Sequence, residues 1–467
     1  MLHQVNRLQF EATCTTEAQA FEVRHNLSQT YQQQVAEVID KVCSRHVSEE
    51  EWIKIDSIEI DLGSLTIQSY QNNFSSLLLE KFEKELCKKI NAIPPAEKSA
   101  SKQIAFCELL IFFLQTGTVP WWADNESVDM DAIFTEVITG NQEVLYSFLQ
   151  QHRFTTAIWQ RIAMQFKEET QHQVISLFPG LWLAENKITQ WVSFLSEQTN
   201  KSVAINLNDT SVVKWQQWIL LNAPLFFNEI KEENINDRVV QIFANEYSNI
   251  TNSSFSSAEI SEKILAYEAM QTGEAAEELA ANPVKEKLPT IQTMETPESI
   301  MEEKFTIYTA GTVLLAPYFK QLFTNLNLLE GGQWKNPEAQ YKAIHLIRFM
   351  ATGQLMCAEH TLVLEKLLCG MEITAPIPRD VILKDEEKAE AMDLLKAVIA
   401  NWEKIKNTSV EGLREAFLKR DGLLTKKENG WLLQVERKTL DVLLDSIPWS
   451  FATLAFTWNN YIIFTEW

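Results

Sequence analysis

The sequence predicts a mainly α-helical protein with small α+β elements. Its 467 residues include 25 Phe and 14 Trp but only 13 Gly and 13 Pro, and few turn formers beside many bulky anchors favour long helices over many-stranded sheets. Apolar residues also recur at helical spacing, as at Trp159, Ile162, Ala163 and Phe166. We expect an N-terminal β-α-β-α module, then a helical bundle or stacked helical hairpins, then a C-terminal helical domain closed by a short β element.

The N-terminal module, residues 1–95, is predicted from two alternating segments. Apolar and polar residues alternate over Leu8–Ala12 in the segment Val5–Ala12, and over Trp52–Gly63 with a change of phase at Ser57, which predicts two strands and a bulge at Ser57. A helix is expected from Thr16 to about His46. A second helix, traced by Phe74, Leu78, Phe82 and Leu86, should end before the two prolines at 94 and 95.

The remaining chain divides by composition. Residues 99–250 show helical apolar patterns with short loops at glycines and prolines, which predicts a helical domain. Residues 268–304 are acidic and proline-punctuated, and predict a linker or exposed arm. Residues 305–467 predict a helical C-terminal domain with an aromatic β tail, because Trp431–Glu436 alternates like a strand.

One short pattern occurs twice. The segments 113–119 and 349–355 share the form Phe-[Leu/Met]-x-Thr-Gly-x-[Val/Leu], each after an apolar helix. Gly117 and Gly353 are expected to end those helices in the left-handed conformation. The pattern fits either duplication of a helical unit or a common way of ending helices.

Charge and hydropathy exclude several classes of partner. The chain carries 63 Asp and Glu against 41 Lys and Arg, a net charge of −22, which disfavours nucleic acids and anionic membranes. Residues 1–8 lack the pattern of a secretory signal, and the most apolar stretch, 109–114, is far shorter than the roughly 20 residues of a membrane-spanning helix. We expect a cytoplasmic protein without nucleic-acid or membrane partners.

Catalytic motifs are not found. The chain lacks the common nucleotide-binding, metalloprotease and hydrolase signatures, so we predict no catalytic residues, no cofactor and no enzyme activity. The group that most resembles a metal site is His345, Cys357, His360 and Cys369. Paired short spacings on both sides are missing, so we favour a helical core and predict no metal.

Tryptophans mark the candidate interaction residues. Trp121 and Trp122 follow a proline, and Pro448, Trp449, Trp458 and Trp467 lie near the C-terminus. Exposed Trp is costly unless a partner buries it, although these rings could equally pack against their own domain. We expect Trp449, Trp458 and Trp467 to form one anchoring cluster.

Several blocks together resemble a known family. Ile58–Gly63 and the helix over 74–86 resemble the opening of the tape measure protein family of contractile injection systems, which are phage-tail-like particles. Later blocks resemble that family in the same order: Phe113–Trp122, Ala316–Phe319, Glu359–Gly370, Trp402–Phe417 and Ile447–Trp467.

The resemblance implies a non-enzymatic assembly component that helps to set tube length or builds the tube end or baseplate. It implies tube and baseplate proteins as partners, and cytoplasmic assembly followed by a place within the particle. Ring symmetry suggests a homo-oligomer of three or six copies. A chaperone or cargo-loading adaptor for such a particle, and an unrelated helical enzyme, remain the alternatives.

Chain length bears on the ruler role. Even as one continuous helix the chain would reach only about 700 Å, and compact modules would shorten that reach. An initiator, plug or end connector therefore fits the sequence as well as a literal ruler.

Overall fold

Helices dominate the structure, a computed structural model, and the few strands are short. It describes residues 5, 8–17, 19–21, 23, 34–47, 53–55, 57–93, 95–199, 210–231, 234–235, 237–251, 255–274 and 304–467. The prediction of a mainly α protein with small β elements is confirmed.

The elements up to residue 274 are mostly helices. Residues 17, 19–21 and 23 are helical. The elements that follow are α1 (Ala36–His46), α2 (Ile67–Ala92), α3 (Pro95–Thr116), α4 (Met130–Gly140), α5 (Gln142–Gln151), α6 (Thr156–Gln165), α7 (Glu168–Leu177), α8 (Pro179–Thr199), α9 (Thr210–Leu221), α10 (Ala223–Glu229), β1 (Ile230–Lys231), β2 (Asn234–Ile235), α11 (Asp237–Thr251) and α12 (Ser257–Glu274).

The elements after residue 303 mix strands with short helices. They are β3 (Lys304–Ile307), a 3-10 helix (Ala310–Leu315), α13 (Ala316–Asn325), β4 (Leu329–Glu330), β5 (Gln333–Trp334), α14 (Pro337–Thr352), α15 (Val363–Leu368), α16 (Asp385–Asn401), α17 (Val410–Leu413), β6 (Gly422–Lys427), β7 (Gly430–Val435), a 3-10 helix (Thr439–Ser446), β8 (Thr453–Leu454) and β9 (Ile463–Glu466).

The chain forms two compact units. One comprises residues within 1–113 and 119–145, and the other comprises residues 114–118 and those within 146–467. Helices α6 to α12 therefore share a unit with the C-terminal elements. The four-part division drawn from composition stays a prediction.

The N-terminal β-α-β-α module needs a correction. The second predicted helix is present as α2, and α1 is the end of the first, of which residues 24–33 lie outside the described residues. Described residues within 5–14 and 53–66 form no strand. Burial still alternates along 53–62, with isoleucines half-buried and Lys54, Glu59 and Asp61 exposed. These isoleucines pack onto the core of α1 and α2. The alternating isoleucines therefore pack on a helical surface. A β-strand would instead need a neighbouring strand to form its ladder of hydrogen bonds.

The C-terminal domain contains more sheet than the sequence predicted. Lys304–Ile307, where the predicted linker was expected to pass into a helical domain, is instead a strand in a five-stranded sheet of order β3-β6-β7-β9-β8. All neighbouring pairs are antiparallel except β7 with β9. The predicted strand at Trp431–Glu436 is confirmed as β7. One face of this sheet packs on a single apolar core shared by the helices of residues 304–467.

The predicted linker is only partly described. Residues 268–274 belong to α12, and Lys304 begins β3. Residues 275–303 lie outside the described residues.

Candidate functional site

Five of the charged side chains that are buried inside the second unit form ion pairs among themselves. Arg161 of α6, Arg348 of α14, Glu359, and Glu365 and Lys366 of α15 are each at most 2% exposed. Charged groups are rarely buried unless they are paired and hydrogen-bonded. We call this set the buried ion network.

Glu359 lies between two cations. Arg161 donates from Nε to Glu359 Oε2 at 2.9 Å and from Nη2 to Oε1 at 3.1 Å, a bidentate pair. Lys366 Nζ donates to the same Oε1 at 2.8 Å. One carboxylate therefore compensates two buried positive charges.

Backbone carbonyls accept the other hydrogen bonds of these cations. Arg161 donates to the carbonyls of Leu114 and Thr374, both at 2.6 Å. Lys366 Nζ donates to the carbonyls of Ile373 and Ala375 at 2.9 and 2.8 Å, so its three N–H groups are all used. The network thus ties α6 to the end of α3 and to the segment 359–375.

Gln165 and Arg379 extend this connection. The backbone N–H of Glu359 donates to Gln165 Oε1 at 2.9 Å, and Gln165 Nε2 donates to the carbonyl of Ile377. The backbone N–H of Arg379 donates to the carbonyl of Met164 at 3.0 Å. The C-terminal turn of α6 is therefore hydrogen-bonded to both ends of the segment 359–379.

A second pair of opposite charges lies on α14 and α15. Arg348 Nη1 is 3.8 Å from Glu365 Oε1, and the hydroxyl of Thr309 donates to the same oxygen at 2.8 Å. Arg348 also donates to the carbonyl of Thr361 at 3.3 Å. This pair fixes α14 against α15 and the residues after β3.

Burial sets the electrostatics of the network. Desolvation lowers the pKa of Lys366, while the charge and the hydrogen bond of Glu359 oppose that shift. All five side chains are at most 2% exposed, so a substrate in solution has no access to them. The arrangement suits fastening of chain segments rather than catalysis.

Because Gly117 has no side chain, the backbone at this residue can pass directly beside the buried ion network. Its φ of +74° is left-handed, as predicted for a residue that ends a helix. A Cβ at this position would lie 2.1 Å from Glu359 Oε1 and 2.9 Å from Arg161 Nη2. Only glycine fits there without displacing the ion pair.

The two copies of the repeated pattern form similar helix ends. Gly353 is also left-handed, with φ +79°, so both predicted glycine caps are confirmed. Arg414 Nε donates to the carbonyl of Met350 at 2.9 Å, and Arg161 Nη1 donates to that of Leu114 at 2.6 Å. Leu114 and Met350 each precede their glycine by three residues. The similarity therefore includes an arginine that binds a carbonyl of the last helical turn; duplication of a whole helical unit stays a prediction.

The four residues compared with a zinc site have other surroundings. His345 Nε2 donates to the carbonyl of Pro378 at 2.9 Å, and burial lowers its pKa to about 4. Cys369 is buried, and desolvation raises its pKa. Among the described residues, no three His, Cys, Asp or Glu side chains could together hold a metal ion.

The C-terminal tryptophans pack in three places. Trp458 is 6% exposed, donates to the carbonyl of Leu368 and stacks on Phe456 with ring centroids 4.8 Å apart. Trp449 donates to the carbonyl of Leu314 and meets Tyr318 edge-on at 5.3 Å.

Trp467 has a third set of neighbours. It donates to Asp441 Oδ2 at 3.0 Å and meets Phe451 at 5.9 Å. All three tryptophans belong to or pack against one apolar core, and each indole N–H has its own acceptor. That they form one anchoring cluster stays a prediction.

The other candidate interaction residues lie closer to the surface. Trp121 is 42% exposed and Trp122 is half-buried, both in the first unit. Pro448 is exposed. A role of these residues in binding a partner stays a prediction.

Sequence analysis missed the buried ion network. Arg161 interrupts the apolar series of α6, and Glu365 with Lys366 interrupts the run from Leu362 to Leu368. Charges on the apolar side of a helical pattern are the signal that could have identified it. Which charges pair depends on contacts across 198 positions, as between Arg161 and Glu359.

Comparison with known proteins identifies the family. No helix in the described part of the chain is long and apolar enough to cross a bilayer. Neither curated proteins nor solved structures give a significant match. A family model described as "Contractile injection system tape measure protein" matches residues 2–467, nearly the whole chain. The chain therefore belongs to the contractile injection system tape measure protein family.

Proposed function

We propose that this protein is a non-enzymatic assembly component that acts as a folded body at the tube end or baseplate, and that it influences tube length from there. Family membership supports a role in the particle. The buried ion network supports the folded form, and it is the observation that carries the proposal.

The physical argument concerns extension. A ruler spans the tube lengthwise, whereas Arg161 and Glu359 are 198 positions apart and in contact. Pulling these segments apart would break the bidentate pair of Arg161 with Glu359, and would separate α6 from the segment 359–379. The folded second unit therefore opposes an extended role.

The proposed partners are tube and baseplate proteins. We place the protein in the cytoplasm during assembly and in the particle afterwards, as a homo-oligomer of three or six copies, since closed rings require matching or dividing symmetry. Trp121 and Trp122 are the proposed contact residues of the first unit, and Pro448 that of the second.

Deletion of the gene tests the proposal. We expect missing particles or particles of wrong length, counted by electron microscopy, and restoration by the gene supplied in trans. Normal particles after deletion would refute it. Detection of the protein in the assembling lysate but not in purified particles would favour the chaperone or adaptor alternative.

A further inference from the structure

The core covers one face of the five-stranded sheet, and most described side chains on the other face, which we call the open face, are exposed. Alternate residues such as Leu424, Leu433 and Ile463 are buried in the core. Their neighbours along the strands point the other way, and Leu423, Ile462 and Phe464 are 38%, 40% and 38% exposed. The buried core of residues 304–467 includes none of these three.

Apolar residues lie together on the open face. The register pairs Thr425, which is 4% exposed, with the half-buried Leu432, and Leu432 with Phe464, across β6, β7 and β9. Leu423 lies two residues before Thr425 on the same face, and Ile462 two residues before Phe464. An apolar sheet face of this kind is usually packed against another layer.

The two ends of the open face differ in charge. Lys427 ends β6 and Lys304 begins β3, which is antiparallel to β6, so both lysines lie at one end. Glu466 ends β9, and Asp421 precedes β6, so both carboxylates lie at the opposite end. By the alternation of side chains along each strand, all four lie on the open face, and all four are exposed.

We propose that the open face binds a second copy of this chain, with the two sheets packed face to face and their strands roughly antiparallel. A two-fold axis across the strands places the basic end of one copy against the acidic end of the other, so the surface complements itself. A parallel arrangement would bring like charges together. The inference rests on this surface and not on the proposed function.

The size of the face indicates a weak contact. Five strands about 4.8 Å apart and about five residues long cover roughly 300 Å² in each copy. That area lies well below the roughly 800 Å² that each partner buries in a standard interface. The dimer is therefore concentration-dependent and suited to protein held at high local concentration. Because such a dimer contains two copies, it is compatible with a homo-oligomer of six copies but not with one of three.

The first test measures association of the full chain by sedimentation velocity over a concentration series, with carbodiimide cross-linking at each step. We expect the dimer fraction to rise with concentration in the wild type, and the Kd to rise at least about tenfold in Leu423→Glu and Phe464→Glu. Val442→Glu is the matched control, since Val442 is 74% exposed and lies on the 3-10 helix Thr439–Ser446, not on a strand of the sheet. Far-UV circular dichroism checks that each variant folds.

The second test reverses charges to establish the orientation. Lys427→Glu and Glu466→Lys should each weaken association, and the double variant should restore it. Mixed isotope-labelled and unlabelled chains should give a cross-link between Lys427 or Lys304 and Glu466 with one label on each side. Within one chain Lys427 and Glu466 are about 16 Å apart along the face, too far for a zero-length link.

Three results would overturn the proposal. A chain that stays monomeric at every concentration and gives no mixed-label cross-link does not use this face with a second copy. Association that survives Leu423→Glu and Phe464→Glu comes from another surface. A monomer whose thermal stability falls on Leu423→Glu but not on Val442→Glu would show that the chain covers the face itself.

Discussion

Neutralising Glu359 is the most direct test of the buried ion network. Glu359→Gln keeps the size of the side chain but removes the one carboxylate between Arg161 and Lys366, whose donor atoms lie 2.8–3.1 Å from it. Both cations are essentially fully buried, so water cannot replace the lost charge. Removing one partner of a buried pair costs about 3–5 kcal/mol.

The assay is urea unfolding followed by tryptophan fluorescence, with hydrogen exchange read by mass spectrometry. We expect Glu359→Gln to lower the free energy of unfolding of the second unit by about 3–5 kcal/mol and to speed exchange in α6 and in 359–379 together. Glu372→Gln is the matched control, because Glu372 is exposed in the same segment and should change stability by no more than about 0.5 kcal/mol.

Replacing all three charges extends the test. Arg161→Met, Glu359→Leu and Lys366→Met together leave no unpaired charge, but they remove the donors to four backbone carbonyls. We therefore expect the triple variant to remain destabilised. If Glu359→Gln is as stable as Glu372→Gln and exchange is unchanged, the account of the network as a fastening is wrong.

Three further changes have defined outcomes. Gly117→Ala should cost about 1–3 kcal/mol more than Gly63→Ala, because both glycines have positive φ but a Cβ at Gly63 has nothing within 4 Å; equal losses in urea unfolding would contradict the steric argument. The pKa of His345 falls from 6.5 to about 4 in the folded chain, so its stabilisation is complete above pH 6.5 and is lost, by up to about 3 kcal/mol, as pH falls towards 4. His345→Gln should flatten that pH dependence of the urea midpoint, and an unchanged slope would refute the assignment. Trp458→Ala should cost about 3–5 kcal/mol, whereas Trp121→Ala should stay within about 1 kcal/mol in the same assay; a reversed order would contradict the burial of Trp458.

Local patterns predicted local structure well. The spacing of Phe74, Leu78, Phe82 and Leu86 predicted a helix that the structure contains, and the Thr-Gly pattern predicted the left-handed cap at Gly353. Alternation at Trp431–Glu436 predicted β7. Each of these depends on neighbours within a few residues.

Long-range pairing could not be predicted from those patterns. Ile58 and Ile60 alternate as in a strand, but the pattern cannot specify whether a strand or a helix pair buries them. Lys304–Ile307 is a strand because β6 pairs with it from more than 100 residues away. The pairing of Glu359 with Arg161 likewise depends on tertiary contacts, which a local sequence pattern does not contain.

The central claim is that the protein acts as a folded body rather than as an extended ruler. Duplicating residues 275–303, which belong to the predicted linker, adds 29 residues, and electron microscopy of the resulting particles measures the tube-length distribution. The account predicts the same modal length as in the wild type. A ruler would lengthen the tube by about 44 Å if the added residues were helical, and by up to about 100 Å if they were extended; either shift would contradict the account.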